Sequence, residues 1–208
     1  MTLVPPATGR AVPAERTGTA VFEAVVLASS LGGIGVLHQV LGGLPPGFPA
    51  ALLIVQHRAP APAGTDALAA LLDRSGALPV DAAADRSPLL PGRVAVVPPR
   101  TSAWVDARGL VRLRPASPRR MADPTLAALA ERFGPRLLGA VLTGLLDDGA
   151  AGARAVKAAG GRILVQDPAD ATAAGMPAAA LATGCADLVL PASRLAAALT
   201  ALVTVPGA

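Results

Sequence analysis

The stretch "AVVLASSLGGIGVLHQVLGGLP", residues 24–45, decides the fold class of this chain. Its apolar start, 24–28, ends at Ser29 and Ser30, a Gly-Gly pair follows, and residues 33–42 have the spacing of a helix. A buried strand that turns directly into a helix is typical of a βαβ unit. The small residues at the turn either serve the turn alone or mark a place where a ligand binds or a group reacts.

The same alternation of apolar runs and helical patterns continues along the chain. Strands are predicted at 22–28, 50–57, 136–144, 162–167 and 187–191, and helices at 33–42, 65–76, 124–134, 150–160 and 193–203. The segment 78–118 differs, because its short strands are separated by Pro and Gly and include a hairpin that turns at 107–109. This order predicts an α/β fold: a doubly wound, mostly parallel sheet with helices on both faces and a short antiparallel hairpin excursion.

Length and composition favour a single globular domain. The chain has 208 residues, 52% of them hydrophobic, and a mean hydropathy of +0.53, which argues against a disordered chain. We expect residues 1–20 to be a disordered leader and 21–208 to be the domain. No apolar run reaches the roughly 18 residues of a membrane span, so no membrane insertion is expected and a cytoplasmic location is the default. The single cysteine, Cys185, excludes an intramolecular disulfide.

Arginine dominates the positive charge. The net charge is +4, and only one of the 18 basic residues, Lys157, is a lysine. One segment holds a concentration of the arginines: Arg86, Arg93, Arg100, Arg108, Arg112, Arg114, Arg119 and Arg120. They are either ordinary solvated surface charge or a patch that attracts an anionic partner. Nucleic acid is not the expected partner, because only 2% of the residues are aromatic and no nucleic-acid-binding fingerprint occurs.

Three polar residues follow three of the predicted parallel strands. Ser30 follows the first strand, His57 the second, and Asp148 comes shortly after the strand at 136–144. Sites in doubly wound sheets form at the carboxyl ends of strands, so these side chains are expected to lie together. A serine nucleophile requires a base that takes its proton and a carboxylate that orients the base. Gly32 and Gly33 would let amides at the helix start face an oxyanion.

Each of these signals also has a structural explanation. The serines are compatible with a plain turn, His57 with packing or surface exposure, and Asp148 with the cap of the next helix. Their joint placement favours the catalytic interpretation. A nucleotide-binding interpretation of the same turn is weaker, because His38 occupies the third glycine position of the fingerprint. No cofactor and no metal ion is expected.

Four motifs in order resemble the catalytic domain of the CheB-type chemotaxis protein-glutamate methylesterases. They are "ASSLGG", "VQH", "LTGLLDDGAAG" and "GGRILVQDPADATAAGMPAAA", and the similarity runs from about residue 21 to about residue 202. The resemblance implies a doubly wound α/β fold and hydrolysis of γ-glutamyl methyl esters on chemoreceptors, with methanol released. It leaves deamidation of receptor glutamines open. Since 1–20 is too short for the receiver domain of many members, a stand-alone catalytic domain is expected.

The resemblance also assigns roles to residues. Ser30, which precedes Leu31, Gly32 and Gly33, would be the nucleophile. His57 would be the general base and acid, and Asp148 would be the orienting carboxylate. The implied partner is a methyl-accepting chemoreceptor with acidic helical segments, which the arginine-rich segment would attract. A monomer is the default oligomeric state.

Three further residues are expected at the site by the same resemblance. Thr143 and Leu145 would line it, and Met176 of the "GMP" motif would approach the triad on a loop. Met176 is also compatible with simple core packing, because methionine commonly fills gaps in cores.

Three departures from the family pattern bear on activity. Ala28 stands where the family usually has Gly, Leu145 and Leu146 replace Met-Gly, and "RRMADPT" replaces a segment that usually reads Arg-Pro-Ser. Leu146 would restrict the backbone beside Asp148 if that position requires a positive φ. These changes motivate an alternative, in which the chain is a catalytically degenerate module that binds a receptor or a signalling partner.

Overall fold

The apolar runs of the sequence form a parallel sheet. A computed structural model describes residues 21–60 and 67–204, so the leader expected over 1–20 lies outside the described residues. The strands are β1 (Ala24–Ser29), β2 (Ala51–Gln56), β3 (Val80–Ala82), β4 (Val94–Val96), β5 (Thr101–Val105), β6 (Val111–Pro115), β7 (Leu137–Val141), β8 (Arg162–Gln166) and β9 (Leu188–Leu190). Seven of them pair in parallel in the order β3-β4-β2-β1-β7-β8-β9, and β5 and β6 form the antiparallel hairpin.

Helices cover both faces of the seven-stranded sheet. They are α1 (Gly33–Gly42), α2 (Ala67–Leu72), α3 (Ala122–Phe133), α4 (Ala150–Ala158), α5 (Gly175–Leu181) and α6 (Ala192–Thr204). Apolar residues of α1, α2 and α6 pack on one face, and those of α3, α4, α5 and the hairpin pack on the other. None of the helices in the described ranges has the length and apolar character needed to span a bilayer.

Strand β1 explains why the apolar runs are continuous rather than alternating. Val25 and Leu27 belong to the core on the α1 side, and Val26 and Ala28 belong to the core on the α3 side. All four are buried, because a central parallel strand has helices above and below it. The predicted doubly wound sheet with an antiparallel excursion is confirmed.

Two features differ from the sequence-based expectation. β3 and β4 come from the irregular segment 78–118, yet they form one edge of the main sheet and pair in parallel with no helix between them. The loop 83–93 makes the connection. α5 was not predicted at all, because Pro177 is a typical helix breaker. It stands in the first turn of α5, where a missing N–H is tolerated.

A glycine lets α4 approach α3 closely. A Cβ atom on Gly152 would lie 2.7 Å from both Cβ and Cδ1 of Leu126, which is closer than real carbon atoms approach. Leu126 is fully buried on α3. The separation of these two helices therefore depends on the absence of a side chain at residue 152.

Two helical glycines give opposite expectations for the same substitution. Gly152→Ala should lower the free energy of unfolding by about 1–3 kcal/mol, because the new methyl group overlaps Leu126. Gly35→Ala should raise it by up to about 1 kcal/mol, because a Cβ there meets no atom within 4 Å and alanine favours the helix. Urea unfolding of both variants measures this difference, and a loss of stability in Gly35→Ala equal to that in Gly152→Ala would contradict it.

Candidate active site

The three predicted triad residues lie at one edge of the sheet. β1 lies between β2 and β7, so the residues that follow these strands are neighbours. The His57 amide donates to the Ser29 carbonyl at 3.0 Å, and the Ser30 amide donates to the Thr143 carbonyl at 2.9 Å. These bonds continue the sheet beyond its last paired residues. The site lies where the chain leaves β1 for α1 on one face of the sheet and β7 for α4 on the other, which is the usual ligand position in this fold.

His57 and Asp148 form a close, largely buried pair. His57 Nε2 lies 2.7 Å from Asp148 Oδ2, and the two side chains are 13% and 1% exposed. Because the carboxylate oxygen accepts, Nε2 carries the proton in this bond, and in the neutral ring Nδ1 is the acceptor. The hydrogen bonds of the described residues include none between the Ser30 hydroxyl and the His57 ring. Such contacts often tighten only when substrate binds.

The start of α3 holds the Asp148 carboxylate. The amides of Met121 and Ala122 donate to Oδ2, both at 2.8 Å, and the amide of Asp123 donates to Oδ1 at 2.9 Å. Amides in the first turn of a helix have no partner within the helix, and the helix dipole favours an anion there. Burial raises the pKa of Asp148, but the hydrogen bonds from His57 and these three amides outweigh it and hold the pKa below its usual value. The carboxylate is therefore ionised at neutral pH.

A second carboxylate makes the reverse contact. Asp123, in the first turn of α3, accepts from the amides of Gly149 and Gly152 at the start of α4, both at 2.8 Å. Asp148 lies just before α4 and caps α3, whereas Asp123 lies in α3 and caps α4. We call this reciprocal capping an exchange of carboxylates. Arg120 donates to Asp123 at 3.0 Å and to Asp147 at 2.9 Å and joins the two segments at the surface. The sequence analysis missed Asp123, although an acidic residue in the first helical turn is a recognised signal.

A buried glutamine joins the segment of Ser29 and Ser30 to the segment of His57. The Ser29 hydroxyl donates to Gln56 Oε1 at 2.6 Å, and Gln56 Nε2 donates to the carbonyls of Ser30 and His57 at 2.7 and 3.0 Å. Gln166, at the end of β8, accepts from the Thr143 amide at 2.9 Å. Both glutamines end strands that read Val-Gln, a repeated signal in the sequence that could have identified them.

The two glycines after Ser30 serve the turn. Gly32 has a φ of +80°, and the Gly33 amide donates to the Ser30 carbonyl at 2.9 Å. The Gly33 amide is therefore used within the turn, and the expectation that amides at the helix start face an oxyanion stays a prediction. Glycine is required at 33 because a Cβ there would lie 2.3 Å from Gln56 Oε1.

The other expected site residues lie near Ser30 in different ways. Thr143 is buried, and its hydroxyl donates to the Leu31 carbonyl and accepts from the Ala173 amide, both at 2.9 Å, so it positions loops rather than lining an open surface. Met176 lies in helix α5 and not on a loop, and it is fully buried. Its sulfur adjoins Gly144, where an added Cβ would meet Met176 Sδ at 2.2 Å and Ser30 Cβ at 2.8 Å. Leu145 is exposed beside them.

Leu146 has a positive φ, the backbone conformation that a leucine at this position would restrict. Its φ is +63°, in the left-handed region that favours glycine. Gly175 packs against this backbone, because a Cβ on Gly175 would lie 2.7 Å from the Leu146 amide nitrogen. The leucine at this position thus has a backbone conformation that glycine adopts at lower cost.

Four of the eight arginines in the expected basic patch are already paired. A carboxylate oxygen lies within 4.0 Å of a guanidinium nitrogen in each of them: Arg86, Arg93, Arg112 and Arg120. The hydrogen bond from Arg112 lowers the pKa of Asp85. Much of the local positive charge is therefore balanced within the described part of the chain. In the same residues no group of three His, Cys, Asp or Glu side chains is arranged to hold a metal ion.

Comparisons with known proteins agree with this geometry. The family model described as CheB methylesterase matches residues 25–199. The chain is 39% identical over 205 residues to a protein-glutamate methylesterase/protein-glutamine glutaminase of Moorella thermoacetica, covering 94% of this chain and 47% of that protein. It is 37% identical over 183 residues to the protein-glutamate methylesterase FrzG of Myxococcus xanthus, covering 86% and 54%. The chain thus spans about half the length of these relatives.

A solved structure is also similar. The crystal structure of the Thermotoga maritima CheB methylesterase catalytic domain superimposes with a TM-score of 0.79 at 33% sequence identity. The match covers 88% of this chain and 99% of that one. The likeness therefore extends over the whole of that catalytic domain.

The exchanged carboxylates give a stability prediction. Asp123→Ala should lower the free energy of unfolding by about 1–2 kcal/mol, because two amides of α4 lose their acceptor. Asp147→Ala is the matched control and should change stability little, because its ion pair with Arg120 is exposed. Urea unfolding measures both, and equal losses would show that the cap at Asp123 has no special role.

Stability should also depend on the ionisation of Asp148. A carboxylate whose pKa is lower in the folded chain stabilises the fold above the unfolded pKa, which is about 4, and this contribution is lost as the pH falls through the folded pKa. The free energy of unfolding should therefore decrease from pH 6 to pH 3. Asp148→Asn should be less stable at pH 6 and show a flatter decrease, whereas Asp147→Asn should follow the wild type. Parallel curves for Asp148→Asn and wild type would contradict this assignment.

Proposed function

The chain belongs to the CheB methylesterase family, and from this premise we propose that it is a carboxyl-ester hydrolase that removes methyl groups from glutamate methyl esters of chemoreceptors. The observation that carries the proposal is the 2.7 Å pair of His57 and ionised Asp148 beside Ser30. This pair supplies the base and the orienting group that a serine nucleophile requires. It supports an enzyme over the degenerate, partner-binding alternative.

The reaction proceeds in two acyl-transfer steps. Ser30 Oγ attacks the ester carbonyl carbon while His57 Nδ1 takes the hydroxyl proton. The tetrahedral intermediate collapses, and His57 returns the proton to the methoxide, which leaves as methanol and leaves a glutamyl ester on Ser30. Water, deprotonated by His57, then releases glutamate and restores the serine. Asp148 holds the ring and stabilises the imidazolium in both steps.

The same serine can accept the acyl group of an amide. The Moorella thermoacetica relative has protein-glutamine glutaminase in its name, so deamidation of receptor glutamines is proposed as a second reaction at the same site. Protonation by His57 then releases ammonia in place of methanol.

The proposed partner is the methyl-accepting segment of a chemoreceptor. Four arginines of the segment have no carboxylate within 4.0 Å among the described residues: Arg100, Arg108, Arg114 and Arg119. Their positive charge would attract the acidic helices of such a partner. We propose that the protein acts on this partner in the cytoplasm and as a monomer.

Two neighbouring serines test the nucleophile. Ser30→Ala should abolish methanol release from a methyl-esterified receptor fragment without a loss of stability, because the Ser30 hydroxyl has no partner within 3.5 Å in the described residues. Ser29→Ala is the control. It should retain turnover and lower the free energy of unfolding by about 1–3 kcal/mol, because Gln56 Oε1 loses its buried donor.

Methanol release and urea unfolding separate the outcomes. Wild-type turnover that persists in Ser30→Ala but vanishes in a folded Ser29→Ala protein would move the nucleophile to Ser29. No release from the wild type would reject the methylesterase proposal.

A further inference from the structure

Large aliphatic side chains are exposed around the nucleophile. Eight such side chains are exposed among the described residues, and half of them follow β1 or β7 at the catalytic edge. We name these four residues the apolar rim: Leu31 (54% exposed), Ile34 (43%), Leu145 (57%) and Leu146 (60%). Exposed apolar groups that cluster in this way commonly mark a binding surface.

The rim is built into the site. Leu31 directly follows Ser30, and its carbonyl accepts from the Thr143 hydroxyl at 2.9 Å, which joins the loop after β1 to the loop after β7. Gly144, next to Leu145, packs against Ser30, since an added Cβ would lie 2.8 Å from Ser30 Cβ. A substrate whose ester reaches the Ser30 hydroxyl must therefore contact this surface, so the occupant of the rim is the substrate itself.

Leu146 adds an independent observation. It combines a left-handed backbone, which is unfavourable for leucine, with a side chain that is 60% exposed and thus contributes little to the core. Backbone strain of this kind clusters at active sites and ligand-binding sites, where the surrounding structure holds it in place. The adjacent carboxylate of Asp147 is paired with Arg120 at 2.9 Å, so its charge is balanced beside the rim.

We propose that the apolar rim selects substrates that carry a bulky apolar side chain three or four residues from the esterified glutamate. This is the spacing at which side chains share one face of a helix, so the ester reaches Ser30 while its neighbour covers the rim. The inference deepens the proposed function and rests on it. It assigns a specificity role to Leu31, Leu145 and Leu146 that is separate from the chemistry of the triad.

The test compares two helix-forming peptides with one glutamate methyl ester each. One has leucine at the positions three and four residues from the ester, and the other has serine there. The wild type should show a KM about tenfold lower for the leucine peptide with a similar kcat, because burial of one leucine against the rim corresponds to about that factor. Leu145→Ser should remove the preference. Leu90→Ser changes another exposed leucine (45%), which precedes β4 at the opposite end of the strands, and should retain the preference.

Leu146→Gly separates a binding role from a structural one. Glycine relieves the left-handed backbone, so the melting temperature should rise by about 2 °C while the KM for the leucine peptide rises several-fold. Equal KM values for the two peptides with the wild type, or an unchanged KM in Leu146→Gly, would overturn the proposal.

Binding to the Ser30→Ala protein distinguishes failure of the rim from failure of the proposed function. Fluorescence anisotropy of labelled peptides should show the same preference for leucine without turnover. If the wild type hydrolyses neither peptide and the preference persists in binding, the methylesterase assignment fails and the rim remains a binding surface. If the wild type hydrolyses both peptides and neither assay shows a preference, only the rim proposal fails.

Discussion

The exchange of two carboxylates between α3 and α4 is the interaction on which the site depends. Asp148 accepts from the first amides of α3, and Asp123 accepts from the first amides of α4. Each helix start thereby obtains the anion that its unpaired amides and its dipole favour. Asp148 also accepts a hydrogen bond from His57 Nε2. The contacts that hold the two helix starts therefore also fix the orientation of the His57 ring.

This arrangement explains why the orienting carboxylate is both buried and ionised. An isolated buried carboxylate would take up a proton, but four donors surround Asp148 and hold its pKa below the usual value. The position of three of those donors depends on how closely α3 and α4 pack, and the glycine at residue 152 sets that distance. Helix packing and the ionisation of Asp148 therefore have a common physical origin.

The fold and the closeness of His57 to Asp148 could be predicted from sequence because both depend on local signals. Continuous apolar runs mark parallel strands, and the residues after them mark the sheet edge. Asp123 was missed because its partners, Gly149 and Gly152, are more than 20 residues away in the sequence and no local pattern links them. The bond from the Gly33 amide to the Ser30 carbonyl could not be predicted, because sequence does not distinguish a backbone partner. Helix α5 was not predicted because it contains Pro177, and proline commonly interrupts helices.

Leu146 combines two conflicts between local preference and structure in the loop that follows β7. Leu146 has a glycine-like backbone, and like Leu31 and Leu145 it keeps an apolar side chain in contact with solvent beside Ser30. A sequence selected for stability alone would place glycine at 146 and polar residues at the exposed positions. The triad requires neither leucine nor strain in order to transfer a proton. Leu145 and Leu146, two of the departures from the family pattern, are therefore better explained by the binding role proposed for the apolar rim than by the proposed reaction.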